Sequence, residues 1–585
     1  MSPTALYPPL PNPAAATHGQ TVTDPNAPSS PGVAKTQYPA KAPGERVDLP
    51  TPSQPRETEF DYLVVGGGTS GSVIAARLSE DPNISVAVIE GGPSDVGLDS
   101  VLNLKNWINL LGGELDYDYP TVEQPRGNSH IRHSRARVLG GCSSHNTLIS
   151  FRPFPQDLDS WASIHGAGKG WSSHTIQPYG SRLLLRTAPV HPKDRNATAK
   201  AWVESSSKAL GVPVIQDFNA AIAYHGGLPD GGVGFFPVSY DPNGFERSSA
   251  SVAYLHPIMK KREENLKFFF ETWAYGLEFS DEGGDATKVV GVKVKIGNGS
   301  TSGGGEDKVL RARKEVILCA GAFDSPKLLM LSGIGPKAEL EKLGIKSRVN
   351  LPGVGENMQD HPESIIMWRA KSSPKETVMT SDAGLFVRLD KSSEDPRPNL
   401  MYHIYQIPFT DNTERYGYEK PEHAVCMTPN IPRSLARGKV SLASSNPFDK
   451  PLLDFRYFTD PSGYDSSILV QGIKLARQIA QTPPFSNHIL DEIAPGPNVR
   501  TDEQLDEYAR KVHHTVYHPS CTTKIGADDD PMAVCDKRCR VRGTKGLRVV
   551  DAGVFPTLTT VNPMITILMV AERASDLIKE DLYKD

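Results

Sequence analysis

Residues 60–92 read FDYLVVGGGTSGSVIAARLSEDPNISVAVIEGG, and the fold follows from how this stretch has to be built. The apolar run Leu63 to Val65 stops at Gly66-Gly67-Gly68-Thr69-Ser70-Gly71, and a segment rich in small residues (Ser72, Ala75, Ala76) follows. That order predicts strand, tight turn and helix. Gly66 permits the turn, Gly68 lets the backbone approach a pyrophosphate, and Gly71 lets helix and strand pack closely. A diphosphate then rests on free N–H groups at the helix N-terminus. A second apolar strand, Ile84 to Ile89, ends at Glu90, where an acid holds a ribose hydroxyl. A GxGxxG alone is weak; with both strands, the helix and the acid in order it predicts a dinucleotide site in an α/β fold.

The chain has 585 residues, enough for more than one domain and a large core. Hydrophobic residues make up 38% and charged residues 22%, as in ordinary globular proteins. The net charge of −5 is spread without a long basic run, which argues against nucleic acid and membrane surfaces as partners. No segment reaches the length of a membrane-spanning helix. The first residues lack an apolar signal core, so the reading is an intracellular, cytoplasmic protein whose sequons at Asn196 and Asn298 stay unglycosylated. Six cysteines in so long a chain suggest reduced thiols, and Cys535 and Cys539 lack the second ligand pair that zinc needs. The C-terminal Leu-Tyr-Lys-Asp is not a peroxisomal signal. Residues 1–57 hold 13 of the 49 prolines and few large apolar side chains, the composition of a disordered leader.

Further along, HSRARVLGGCSSHNTLISF (133–151) offers Arg135 and Arg137 as phosphate partners and a second glycine pair, Gly140-Gly141, whose backbone can approach a ligand. With CAGAFDSPKLLMLSGIGP (319–336), MQDHPESIIMWRA (358–370), KVHHTVYHPSCTTKIG (511–526) and VVDAGVFPTLTTVNPMITILMVAERASDLI (549–578), the chain resembles the glucose-methanol-choline oxidoreductase superfamily, and its choline oxidase branch. The resemblance runs from about residue 58 to the C-terminus. It implies a Rossmann-like FAD-binding domain (58–205, 249–362 and 516–585). It also implies a discontinuous substrate domain (206–248 and 363–515) on a mainly antiparallel sheet with helices, α+β overall.

The resemblance also implies roles. Gly66, Gly68, Gly71, Glu90, Gly140, Gly141, Asn146 and Asp551 would hold FAD, with His145 joined covalently to the flavin ring. Glu363 would face a trimethylammonium group, a contact worth about 4 kcal/mol at 4 Å and an effective dielectric near 20. Trp107, Phe409 and Tyr517 would supply ring faces for that cation. His518, Asn562 and His403 would serve the alcohol, because hydride loss needs the hydroxyl proton accepted or its oxygen stabilised. His513, His514 and His518 do not have a convincing metal-ligand spacing, so no metal is expected.

Two departures bear on the substrate. Ser381 falls near the position of a cage tryptophan, and Thr147 stands where serine is expected. The segment DDDPMAVCD resembles the choline dehydrogenase branch, whereas His145 and TVNP favour oxygen as acceptor. The reading is an FAD-dependent alcohol oxidase acting on choline or a related amino alcohol, with oxygen as co-substrate; the resemblance also allows a homodimer. A neutral primary or aryl-alcohol oxidase, a choline dehydrogenase and an FAD-dependent hydroxynitrile lyase are the alternatives.

Overall fold

A computed structural model describes residues 54–582 except 225–226, 281–285, 298–299, 374–376 and 411. The leader expectation therefore lies almost wholly outside the described residues, as does the sequon at Asn298. At the leader's end, Gln54 Nε2 already donates to the Phe270 carbonyl at 2.8 Å. The other sequon, Asn196, is buried and accepts from Thr198 N at 2.7 Å as the cap of the Ala197–Leu210 helix.

The opening stretch builds the centre of a seven-stranded sheet. Strand Glu59–Val65 is flanked by two parallel neighbours, Val86–Ile89 and Glu306–Leu318. Four consecutive residues of Val86–Ile89 are buried, the run expected of a strand covered on both faces. Leu266–Phe269 extends one side in parallel. On the other side the long strand Glu306–Leu318 pairs antiparallel with Val289–Ile296 along its first half and parallel with Leu547–Val549 at its end. The charges of its first half (EDKVLRARK) hide the strand pattern in the sequence.

A second sheet of eight strands contains Ile489–Ala494, Ile366–Ala370, Ala424–Asn430, Leu400–Tyr405, Ala383–Val387 and Gly232–Phe235 in that order, all antiparallel. The Tyr464–Ala480 helix packs on it, and the Ala197–Leu210 helix lies beside both that helix and the sheet. A boundary at 205/206 would cut through Ala197–Leu210, so this helix belongs with the second sheet. Outside both large sheets, Lys439–Ser441 and Leu452–Asp454 form an antiparallel pair of their own.

Three helices start where the two sheets meet: Thr69–Leu78, Gly321–Leu331 and Met564–Leu582. The first and last pack together and share Glu572, fully buried, which accepts from Arg77 Nη2 at 2.7 Å and from the Tyr254 hydroxyl at 2.8 Å. The first helix is set by Gly71, where a Cβ would lie 1.9 Å from the Gly66 carbonyl oxygen. Gly71→Ala therefore has to move backbone against backbone. It should cost about 3 kcal/mol, seen as a lowered melting temperature.

Candidate active site

The three helix starts open on one cavity of about 2060 Å³, its mouth included. Gly66, Gly68, Thr69 and Ser70 line one end. No side chain caps the Thr69–Leu78 helix, whose N-cap is Gly68, so its first N–H groups are left for a ligand. Gly141 meets this turn: a Cβ there would come within 2.7 Å of Gly68 Cα. Gly71 and Gly140 lie behind the lining, the first as the packing contact and the second as a left-handed residue (φ 84°) that turns the chain into Gly141–Ser144. Glu90 lines the same end, its carboxylate accepting from Gly67 N at 3.0 Å and Gly92 N at 2.8 Å. Burial pushes its carboxyl up to about 7, against those two N–H donors. Asp551 accepts from Ser325 Oγ at 2.6 Å, Gly321 N at 2.9 Å and Gly553 N at 2.7 Å, tying the Gly321–Leu331 helix to the cavity floor. Uncapped N–H groups, two glycine turns in contact and an acid at the strand end fit a dinucleotide.

Of the two arginines considered for phosphate, Arg135 lines the cavity but donates to the Tyr517 carbonyl at 2.6 Å. Arg137 does not line it; it pairs with Glu271 at 3.1 Å and donates to the Glu114 carbonyl. His145, Asn146 and Thr147 line the middle of the cavity. Their loop is held from behind by Arg247, buried, which donates to the carbonyls of Val101, Ser143 and Asn146. Nothing local in the sequence marks Arg247, whose partners lie more than 100 residues away.

At the other end stand His518, Asn562, His403, Glu363, Trp107, Phe409 and Tyr517, all lining the cavity. Tyr405 joins them, stacked on Phe409 with ring centres 5.1 Å apart. It lies two residues after His403 on one strand and so shares its face, an alternation present in the sequence and overlooked. His514 sets its edge against both Phe409 and Tyr517, at 5.4 and 5.2 Å. Trp107 Nε1 donates to the Met379 carbonyl at 2.9 Å, and the nearby Ser381 is buried with no partner for its hydroxyl. Glu363 is fully buried, 3.8 Å from His403 Nδ1, and its Oε2 accepts no hydrogen bond from the protein.

The protonation of His518 can be read from its neighbours. His361 Nε2 is 3.0 Å from the Thr559 carbonyl, which can only accept, so that nitrogen carries the proton and His361 Nδ1 is an acceptor. His518 Nδ1, 2.9 Å from His361 Nδ1, must then be the donor. His518 Nε2 is left with its lone pair, 3.4 Å from Asn562 Nδ2. Burial, then the charges of His361, His403 and Arg135, pull His518 well below the usual histidine range, so the ring is neutral at pH 7. Asp360 fixes the segment: it accepts from His518 N at 2.9 Å and from the hydroxyls of Tyr457 and Thr515. Burial would raise its carboxyl, but His133 and these donors outweigh burial and hold it below the usual range. Asp360 and His361 lie inside a motif from which sequence reading took only Glu363.

Among the described residues no cluster of three His, Cys, Asp or Glu side chains could hold a metal, and all six cysteines are free.

The GMC oxidoreductase family models match residues 60–363 and 434–571. The chain belongs to this family. It is 42% identical to choline oxidase of Arthrobacter globiformis over 541 residues, 89% of this chain and 95% of that one. It is 34% identical to oxygen-dependent choline dehydrogenase of Staphylococcus aureus over 562 residues, covering 90% and 94%. The solved pyridoxine 4-oxidase of Mesorbium loti shares the fold with a TM-score of 0.79 at 24% identity, covering 89% and 99%. A fungal aryl-alcohol oxidase shares it with a TM-score of 0.70 at 21% identity, covering 90% and 100%.

Burial pulls His133 and His513 down to about 3 and His361 to about 4. Unfolded histidines bind protons near pH 6.5, so below that value the unfolded state holds more protons and gains on the folded one. Stability should be steady above pH 7 and fall by about 2 kcal/mol per buried histidine by pH 5, which denaturant titrations at the two pH values would measure.

Proposed function

We propose that this chain is an FAD-dependent alcohol oxidase that oxidises choline, through betaine aldehyde, to glycine betaine, with oxygen as acceptor and hydrogen peroxide as product. The observation that carries the reading is that one cavity holds both a neutral His518, whose unprotonated Nε2 faces the Asn562 amide, and a buried Glu363 oxygen without a partner. The first suits a hydroxyl proton; the second suits a cation. In this reading the seven-stranded sheet carries FAD, covalently attached at His145, and the eight-stranded sheet carries the substrate side.

His518 Nε2 takes the hydroxyl proton, while Asn562 turns its amide to the same oxygen and orients it. The relay through His361 to the Thr559 carbonyl keeps the lone pair on Nε2, so the base needs no prior deprotonation. Glu363 draws the quaternary ammonium group, and Trp107, Tyr405, Phe409 and Tyr517 surround it with ring faces. Bound FAD supplies the hydride acceptor at its N5. Ser381, near the position of a cage tryptophan, favours a second reading, an uncharged alcohol, because a lost ring face weakens the hold on a cation.

Anaerobic mixing with choline should bleach the flavin, and air should restore it with one peroxide per flavin reoxidised, two for each choline taken to glycine betaine. Bleaching that air does not reverse would favour a dehydrogenase; an unchanged spectrum with every alcohol would sink the oxidase reading and leave the lyase. His518→Ala should lower kcat by about 100-fold to 10,000-fold while flavin stays bound. Glu363→Gln should raise KM for choline by on the order of 100-fold or more, with little change for its uncharged carbon isostere. Equal effects on both alcohols would remove choline as the preferred substrate.

A further inference from the structure

The histidine meant for the flavin has every ring contact inside the protein. His145 Nε2 lies 3.0 Å from the Leu110 carbonyl and 3.8 Å from Asp116 Oδ2, and Nδ1 lies 3.3 Å from Ser134 Oγ. A carbonyl only accepts, so Nε2 carries the ring proton and Nδ1 holds the lone pair. Whichever nitrogen bonds to carbon, this proton has to leave, or the ring becomes a buried cation. Burial disfavours that cation, and Arg247 and Arg135 add to the penalty, while Asp116 and the Leu110 hydrogen bond act in the opposite sense. The Leu110 carbonyl cannot take the proton.

Asp116 can. Its side chain is fully buried, and it is held in place by three backbone donors: Gly112 N at 2.7 Å on Oδ2, and Asp118 N and Arg135 N at 2.8 and 2.9 Å on Oδ1. Arg135 also reaches the Tyr517 carbonyl through its side chain, but the proposed oxidation of alcohol makes no use of Asp116. A buried acid fixed within 4 Å of an N–H that must be lost is placed as a base.

We propose that Asp116 accepts the His145 proton during covalent attachment of the flavin. The proposal rests on the reading that FAD is joined to the chain at His145. In the balanced step, the flavin 8α-methyl group loses one C–H and His145 loses its N–H. A C–N bond forms between them, and the two electrons remain on the flavin ring, which takes up the two protons as its reduced form. Molecular oxygen, the acceptor in the proposed reaction, then restores the oxidised ring and leaves as hydrogen peroxide. Asp116 takes the N–H proton from His145 and passes it on.

The test compares wild type, Asp116→Asn and Asp116→Glu, each purified with FAD. Bound flavin is measured by absorbance of the native protein, and attached flavin by fluorescence of the acid-denatured chain on a gel and by the mass of the His145 peptide. The wild type should keep its flavin after acid. D116N should bind flavin natively but release it in acid, with attachment slowed on the order of 100-fold, and D116E should restore attachment. Attachment in D116N at the wild-type rate would overturn the proposal, as would loss of native flavin binding in both variants, which would make Asp116 a structural anchor. Release of flavin from the acid-treated wild type would instead remove the covalent link itself, and the role of Asp116 with it.

Discussion

The oxygen of a peptide carbonyl has no proton to give, and the reactive end of this protein is organised around that fact. The Thr559 carbonyl forces the His361 proton onto Nε2, which forces the His518 proton onto Nδ1, which leaves a lone pair in the cavity. The order holds only while three distant segments stay in register. Gln359 Oε1 accepts from Leu558 N and from the Thr557 hydroxyl, and Asp157 accepts from Thr560 N and its hydroxyl. Asp360 then grips the His518 backbone from the other side. Each anchor is a buried acceptor facing a donor it cannot exchange for water, so small shifts cost a whole hydrogen bond rather than a fraction of one.

The cofactor end follows a different rule, that of excluded volume. Gly66, Gly71 and Gly141 are required because backbone stands where their side chains would be. Such demands appear in the sequence as glycines at fixed spacing, which is why the stretch from Gly66 to Glu90 is legible in the amino-acid order alone. The strand pattern is legible for the same reason: Leu63 to Val65 and Val86 to Ile89 are buried on both faces and therefore continuously apolar. Where a strand is half exposed, as over residues 306–314, the pattern dissolves into charges and the strand escapes notice.

The catalytic relay is less legible, and the reason is distance along the chain. His361 meets His518 across 157 positions and Thr559 across 198. No local spacing distinguishes a histidine that fixes a tautomer from one that fills space, as His133 does by stacking on Phe455 with ring centres 4.1 Å apart. Resemblance supplies His518 and Asn562 because they sit in long matching motifs, and it passes over Asp360, Tyr405 and Arg247. These three act through packing and hydrogen bonds to other functional groups, so their contribution becomes visible only once the chain is folded.

The buried acceptors described above differ in how fully they are paired. Asp360 and Asp551 have donors on both oxygens, and Glu572 binds two arginines; such groups hold the fold. Glu363 Oε2 and Asn562 Oδ1 are as deeply buried and have none. An unsatisfied buried oxygen costs about 1–3 kcal/mol, so a cavity that leaves Glu363 Oε2 and Asn562 Oδ1 in this state, with Asp324 Oδ1 besides, is less stable than its packing allows. That deficit disappears when a ligand brings a cation to the first and a polar group to the second, so the missing interactions become part of the affinity. The same reasoning explains why the polar groups of the relay are fully paired while those facing the cavity are not: the relay must hold one arrangement before substrate arrives, and the cavity must wait for its partner.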